Sequence, residues 1–215
     1  MSDQADLARM RHSYRKARLD IPDVDADPIV QVSRWLTEAV VAGLREPNAM
    51  VLATVGTNSL PSARTVLLRR IDARGFAFYT SYRSRKAAEL AVNPQAALLF
   101  PWIDLERQVA VRGSVAKVTA EESDAYFASR PRGSQLGAWA SEQSNVVAGR
   151  ATLERRFDEV QTRFAGAAVP RPDDWGGFRL TPVEVELWQG RPDRLHDRLR
   201  YRRDGDGWAL ERLSP

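Results

Sequence analysis

The sequence predicts an α+β fold, mainly β, whose antiparallel strands form a small barrel or curled sheet with helices at its periphery. Three observations lead there. Five stretches rich in β-forming residues fall within residues 49–119, too closely spaced for the helical crossovers that parallel strands need. Turn chemistry such as GTNSLP and DARG separates them. A sheet of so few strands leaves open edges, and curling it on itself hides them.

The first thirty residues are polar, Asp-rich from Asp20 to Asp27 and punctuated by Pro22 and Pro28, and read as a flexible arm with a short helix at most. From Gln31 the pattern changes. Val32, Trp35, Leu36, Ala39, Val40 and Gly43 recur at helical spacing, predicting an amphipathic helix that ends near Gly43 to Pro47. Strands follow at Ala49 to Gly56, Ala63 to Asp72, Gly75 to Ser81, Ala96 to Trp102 and Arg107 to Thr119. Helices are expected at Arg85 to Val92, at Ala120 to Ala128, and around Ala151 to Phe164, where Leu153, Phe157, Val160 and Phe164 share a face. After a Pro-rich loop, GAAVPRPDDWGG, the strand pattern returns at Gly177 to Trp188, Arg198 to Arg203 and Trp208 to Arg212. Residues 31–215 thus form one domain behind an arm of residues 1–30.

At 215 residues, 43% hydrophobic and 28% charged, the chain has the balance of a globular protein with a sizeable core. No apolar run is long enough to cross a bilayer, no secretory signal opens the chain, and cysteine is absent, so the expected location is the cytoplasm. A net charge of +4 arises from 32 basic and 28 acidic residues, with no long basic tail. That balance favours local anion sites over a nucleic-acid-binding face.

Four stretches could carry chemistry. In SYRSRKAAEL, Ser84 is an N-cap candidate, and Arg85 and Lys86 then fall in the first helical turn, where cations oppose the helix dipole. They are either a solvated pair or partners of a phosphate docked on the helix start. In RTVLLRR, Arg64 and Arg69 bracket an apolar strand five residues apart, so in regular geometry they face opposite sides. Either both are snorkelling strand-end arginines, or a bulge brings them to one ligand. RPRGSQLGAWASEQS, Arg130 to Ser144, reads as a binding loop: Gly133 and Gly137 permit close backbone approach, and Arg130, Ser134, Gln143 and Ser144 offer donors. The alternative is a merely polar loop. WQGRPDRLHDRLRYRR, from Trp188, carries six arginines and one of two histidines.

Other chemistries are set aside. Neither GxxxxGK[ST] nor GxGxxG occurs, there is no GxSxG nucleophile elbow, and two distant histidines without cysteine give no metal-ligand set. What remains is an aromatic, phosphorylated cofactor with a small phosphorylated substrate.

RTVLLR, FYTSYRSRKA, FPW, LERQV, YFASRPRGSQLGAWASEQS, WGGF, WQG and RLHDR, in this order, resemble the pyridoxamine 5′-phosphate oxidase family, over a span from about Pro28 to Pro215 with a weaker echo at MRHSY. The resemblance implies an FMN-binding split barrel that forms homodimers with FMN at the subunit interface. It implies oxidation of pyridoxamine or pyridoxine 5′-phosphate to pyridoxal 5′-phosphate, by hydride transfer from the substrate's 4′ carbon to FMN, with O2 reduced to hydrogen peroxide. By the same resemblance Arg64, Thr65, Val66, Leu67, Leu68, Arg69, Tyr79, Thr80, Arg85, Lys86, Gln108, Gln143, Ser144, Trp188 and Arg198 contact FMN. Tyr126, Arg130, Ser134 and Arg69 hold the substrate phosphate. Arg194, Leu195 and His196 lie at the pyridine ring, with Arg194 and His196 in the catalytic role, and Arg11 and Tyr14 of the arm close over it. Neither nucleic acid nor a membrane is an implied partner.

The chain departs from the family pattern at Arg69, where lysine is usual, and a planar fork is not equivalent to a compact ammonium at a crowded site. Two rivals stand beside the resemblance. One is a phenazine-type oxidase on the same fold; the other is a non-catalytic store or sensor of FMN or pyridoxal phosphate.

Overall fold

The computed structural model describes residues 12–215, so Arg11 lies outside the described residues. The chain forms two compact units, one of residues 48–99 and 111–183, the other of residues 12–47, 100–110 and 184–215.

The first unit is a sheet. Its strands are β1 (Ala49–Val55), β2 (Pro61–Leu67), β3 (Arg70–Asp72), β4 (Gly75–Ser81), the first half of β5 (Gln95–Trp102), the second half of β6 (Arg107–Lys117) and the first half of β7 (Trp175–Gln189). Their order is β2-β1-β5-β6-β7-β4-β3. β1 pairs antiparallel with β2 and β5, and β4 with β3 and β7. β2 and β3 stand at opposite ends of this path, yet only Leu68 and Arg69 connect them. Three peptide units reach no farther than roughly 11 Å, so the path must curl until its ends meet. The sequence expects one strand over Ala63 to Asp72; the structure breaks it at this link.

Strand alternation supplies the interior: Met50, Leu52 and Thr54 are buried along β1, while β4 is buried at every position but Tyr79. Helices α2 (Arg85–Val92), α3 (Ala120–Ser129), α4 (Arg132–Ala140) and α5 (Arg150–Arg163) surround the sheet. α4 corrects the loop expected over Arg130 to Ser144. Leu136 and Ala140 stand one turn apart and are buried, Leu136 among Phe127, Phe164, Val169 and Trp175. That packing outweighs the cost of about 1 kcal/mol for each of Gly133 and Gly137.

In the second unit, Asp27 caps α1 (Pro28–Val41) by accepting from the Ile29 N–H at 2.8 Å, and Pro28 occupies the first turn. Ile29, Val32, Trp35 and Ala39 form its buried face, and the helix stops at Val41, slightly ahead of the expected end. The second half of β7 pairs with β8 (Asp197–Asp204), and β8 with β9 (Gly207–Leu213). The segment before α1 is fastened here: the Tyr201 hydroxyl donates to the Asp25 carbonyl at 2.6 Å and Arg212 to the Leu19 carbonyl at 2.9 Å.

At Gly113 of β6 a Cβ would lie 2.0 Å from the Thr181 carbonyl oxygen of β7, a backbone atom that cannot step aside. Gly113→Ala is expected to lower stability by about 1–3 kcal/mol, read as a reduced urea midpoint.

Candidate functional site

The break at Leu68 and Arg69 resolves the arginine spacing, because both Arg64 and Arg69 line one cleft of about 980 Å³ in the first unit. Among the described residues five cations face it, Arg64, Arg69, Arg85, Lys86 and Arg130, and no carboxylate does. Thr65, Val66, Leu67, Tyr79, Thr80, Tyr126, Ser134, Gln143 and Ser144 complete the predicted lining. Leu68 is elsewhere: its side chain is buried in the core, and Asn48 brackets its backbone through bonds of 2.8 and 3.1 Å.

At the start of α2, Ser84 is the N-cap residue but its hydroxyl makes no capping bond; it is buried without a partner. Gln143 and Ser144 reach this corner, Gln143 Oε1 accepting from the Thr80 hydroxyl at 2.8 Å and Ser144 Oγ from the Arg85 N–H at 3.1 Å. Lys86 is buried and donates to Thr80 Oγ1 at 3.1 Å. Burial pushes its ammonium pKa down and Arg64 adds to that, against a smaller pull upward from Glu89.

Sequence reasoning missed Glu89. Its Oε2 accepts from the hydroxyls of Thr54 at 2.5 Å and Ser62 at 2.6 Å and from Arg64 Nη2 at 3.0 Å, while Oε1 accepts from Arg85 Nε at 2.8 Å. Arg64 also bonds the Thr54 and Ser62 hydroxyls. The i,i+4 spacing from Arg85 was a legible signal; the register that sets Thr54 opposite Ser62 was not.

The other side of the cleft is aromatic. Tyr79 and Tyr126 stack at 3.9 Å between centroids, with Trp175 at 5.8 and 6.1 Å from them. Arg130 lies 4.5 Å from the Trp175 centroid, and Arg69 is 5.9 Å from that of Tyr126. Burial lowers the Arg130 pKa against an upward pull from Tyr126, with a lesser lowering from Arg69, and its buried Nη1 lacks a hydrogen-bond partner.

A second cleft, of about 620 Å³, lies in the second unit and gathers Tyr14, Gln108, Trp188, Arg194 and His196. The Arg191 N–H donates to His196 Nδ1 at 3.1 Å, so the neutral ring carries its proton on Nε2. Trp188 is 4.7 Å and Tyr14 5.8 Å from the His196 ring. Gly190 makes this packing possible, since a Cβ there would meet the Tyr14 ring at 2.7 Å. Asp193 and Arg194 both have positive φ, 56° and 63°, a strained pair of the kind found at ligand sites. Arg198 and Leu195 line neither cleft: Arg198 is forked onto Glu186 at 2.8 and 3.1 Å, and Leu195 is 71% exposed.

A curled antiparallel sheet with a cationic cleft defines a split-barrel protein whose cleft has the charge to suit anionic ligands. The comparisons narrow this class. Residues 36–164 match the family model described as pyridoxamine 5′-phosphate oxidase, and residues 175–215 the pyridoxine 5′-phosphate oxidase C-terminal dimerisation region. The chain belongs to the pyridoxamine 5′-phosphate oxidase family, which places it among oxidoreductases. It is 58% identical over 212 residues to the pyridoxine/pyridoxamine 5′-phosphate oxidase of Burkholderia cenocepacia (strain HI2424), covering 97% of this chain and 99% of that one. Its identity to the protein of the same name from Rubrobacter xylanophilus is 57% over 210 residues, covering 98% and 97%. Among solved structures, PhzG from Burkholderia lata 383 in complex with tetrahydrophenazine-1-carboxylic acid matches with TM-score 0.88 and 35% identity, covering 95% of this chain and all (100%) of that one. An FMN-binding protein from Nostoc punctiforme PCC 73102, at 17% identity and TM-score 0.71, covers 89% of this chain and 100% of its own, and shares the fold.

Burial alone would push the Glu89 carboxyl up, but hydrogen bonds from Ser62, Thr54, Arg85 and Arg64 outweigh it and lower the pKa from 4.5 to about 2. A group depressed in the folded state contributes stability that is whole above its unfolded value of 4.5 and is lost as pH falls toward about 2. Wild type is therefore expected to lose more stability than Glu89→Gln across that window, and urea midpoints measured at several pH values within it test this.

Proposed function

We propose that the chain is a cytoplasmic pyridoxamine/pyridoxine 5′-phosphate oxidase that acts as a homodimer with FMN at the subunit interface. The observation that carries this reading is the division of the cations in one carboxylate-free cleft. Arg64, Arg85 and Lys86 stand at the start of α2, and Arg69 and Arg130 stand against the aromatic side. Each group includes a buried polar atom without a partner, Ser84 Oγ in the first and Arg130 Nη1 in the second. Two phosphates, one from the cofactor and one from the substrate, suit this arrangement. The match to a dimerisation region over residues 175–215 supports the homodimer, and no described helix is long and apolar enough to cross a membrane.

Arg64, Arg85, Lys86, Gln143 and Ser144 would hold the FMN phosphate and its surroundings, with Thr65 to Arg69, Tyr79, Thr80, Gln108, Trp188 and Arg198 along the rest of the molecule. FMN supplies the acceptor for a hydride from the substrate's 4′ carbon, with O2 as final acceptor and hydrogen peroxide as product. Tyr126, Arg130, Ser134 and Arg69 would fix the substrate phosphate. The His196 Nε2–H and Arg194 would orient the pyridine ring under Leu195, Tyr14 and Arg11. These residues act by positioning and charge, and no strong general base is required of them.

The likeness to PhzG favours a second reading, an oxidase of a larger aromatic substrate. The Tyr126, Arg130 and Ser134 cluster, with an unpaired buried guanidinium nitrogen, supports the phosphorylated substrate instead. The purified protein is expected to be yellow and dimeric. Its visible absorbance should bleach under anaerobic pyridoxamine 5′-phosphate and return with peroxide when air is admitted. A colourless monomer that takes up no added flavin would sink the proposal, and bleaching by a phenazine precursor but not by the phosphate ester would favour the second reading.

Arg69→Lys is expected to retain phosphate binding while shifting KM, or the preference between the amine and the alcohol substrate. Steady-state kinetics on both substrates measure this, and identical constants would remove the idea.

A further inference from the structure

Arg130 is held in an unusual way. It caps the end of α3, lies 4.5 Å from the Trp175 centroid and 5.4 Å from that of Phe127, and its Nη1 is buried without a partner. A carboxylate in that place would neutralise the guanidinium. An aromatic face holds it while leaving its charge for a ligand.

The platform is itself braced. Phe127 meets the Trp175 ring edge-on at 5.1 Å, and the backbone oxygen of Trp175 accepts from Arg171 Nη1 at 2.7 Å. Arg171 Nε in turn donates to Asp124 at 2.6 Å, and its side chain is only 15% exposed. Asp124 belongs to α3, the helix that ends at Arg130. The path therefore closes from α3 through Arg171 to Trp175 and back to Arg130, and gives the Pro-rich loop a role that its sequence did not disclose.

We propose that Trp175, braced by the Arg171–Asp124 pair, is a positioning residue that holds Arg130 unneutralised and so makes the site prefer a phosphorylated ring ligand over the same ring without phosphate. This rests on the function proposed above and adds the residues that set its selectivity.

The test is equilibrium titration of the FMN-loaded protein with pyridoxal 5′-phosphate and with pyridoxal, followed by absorbance and fluorescence. Trp175→Leu is expected to raise Kd for the phosphate ester about tenfold, the range of a desolvated cation–π contact, with Kd for pyridoxal within about twofold of wild type. Because Trp175 acts through Arg130, the same substitution in an Arg130→Met background should add less than about twofold. Arg171→Met should weaken the phosphate ester selectively by about threefold, and it carries the test together with Trp175→Phe if Trp175→Leu does not fold. Equal losses for both ligands, or a full additional loss in the Arg130→Met background, would overturn the inference. A wild-type protein that holds FMN but takes both rings alike would instead remove the parent reading, and this inference with it.

Discussion

The two-residue link between β2 and β3 constrains the first unit. These strands lie at the two ends of the sheet's path, and Leu68 with Arg69 is all that joins them. A chain this short allows one solution, a sheet rolled until its ends approach. The roll makes a concave wall, and the interruption in pairing turns Arg69 to the side already occupied by Arg64. Neither regular strand geometry nor the apolar pattern of RTVLLRR brings those arginines together; the break does.

Once five cations share one cleft, their mutual repulsion has to be managed. The chain uses two methods. Around α2, Glu89 ties Arg64 and Arg85 and is itself saturated by two hydroxyls. Around the end of α3 no carboxylate intervenes in the cleft, and aromatic faces hold the guanidinium. The first method fixes geometry and cancels part of the charge, whereas the second fixes geometry and keeps it.

Much of this was legible in the sequence. Strand and helix positions mostly followed from alternation and spacing, and α2 starts at Arg85, directly after the N-cap residue Ser84, as expected. The helix over Arg132–Ala140 was hidden by two glycines and a proline, since local propensity cannot report the packing of Leu136 against Phe127 and Trp175. Within the site, the arginines announced themselves by charge. Their supports did not: Glu89 depends on strand register, and Arg171 on a loop folding back to Asp124. Arg198, which the resemblance assigns to FMN, is forked onto Glu186, a pairing that charge alone did not announce.

The second unit is assembled from three separated stretches, 12–47, 100–110 and 184–215. During synthesis its middle and last pieces emerge long after α1, which leaves the apolar face of Ile29, Val32, Trp35 and Ala39 without its partners while most of the polypeptide is still being made. Tyr14 and His196, which share one small aromatic cluster, are among the earliest and latest described residues to leave the ribosome. Completion of that cleft thus waits on residues 188–196, so a nascent chain halted before them carries all five cations of the first cleft but lacks His196.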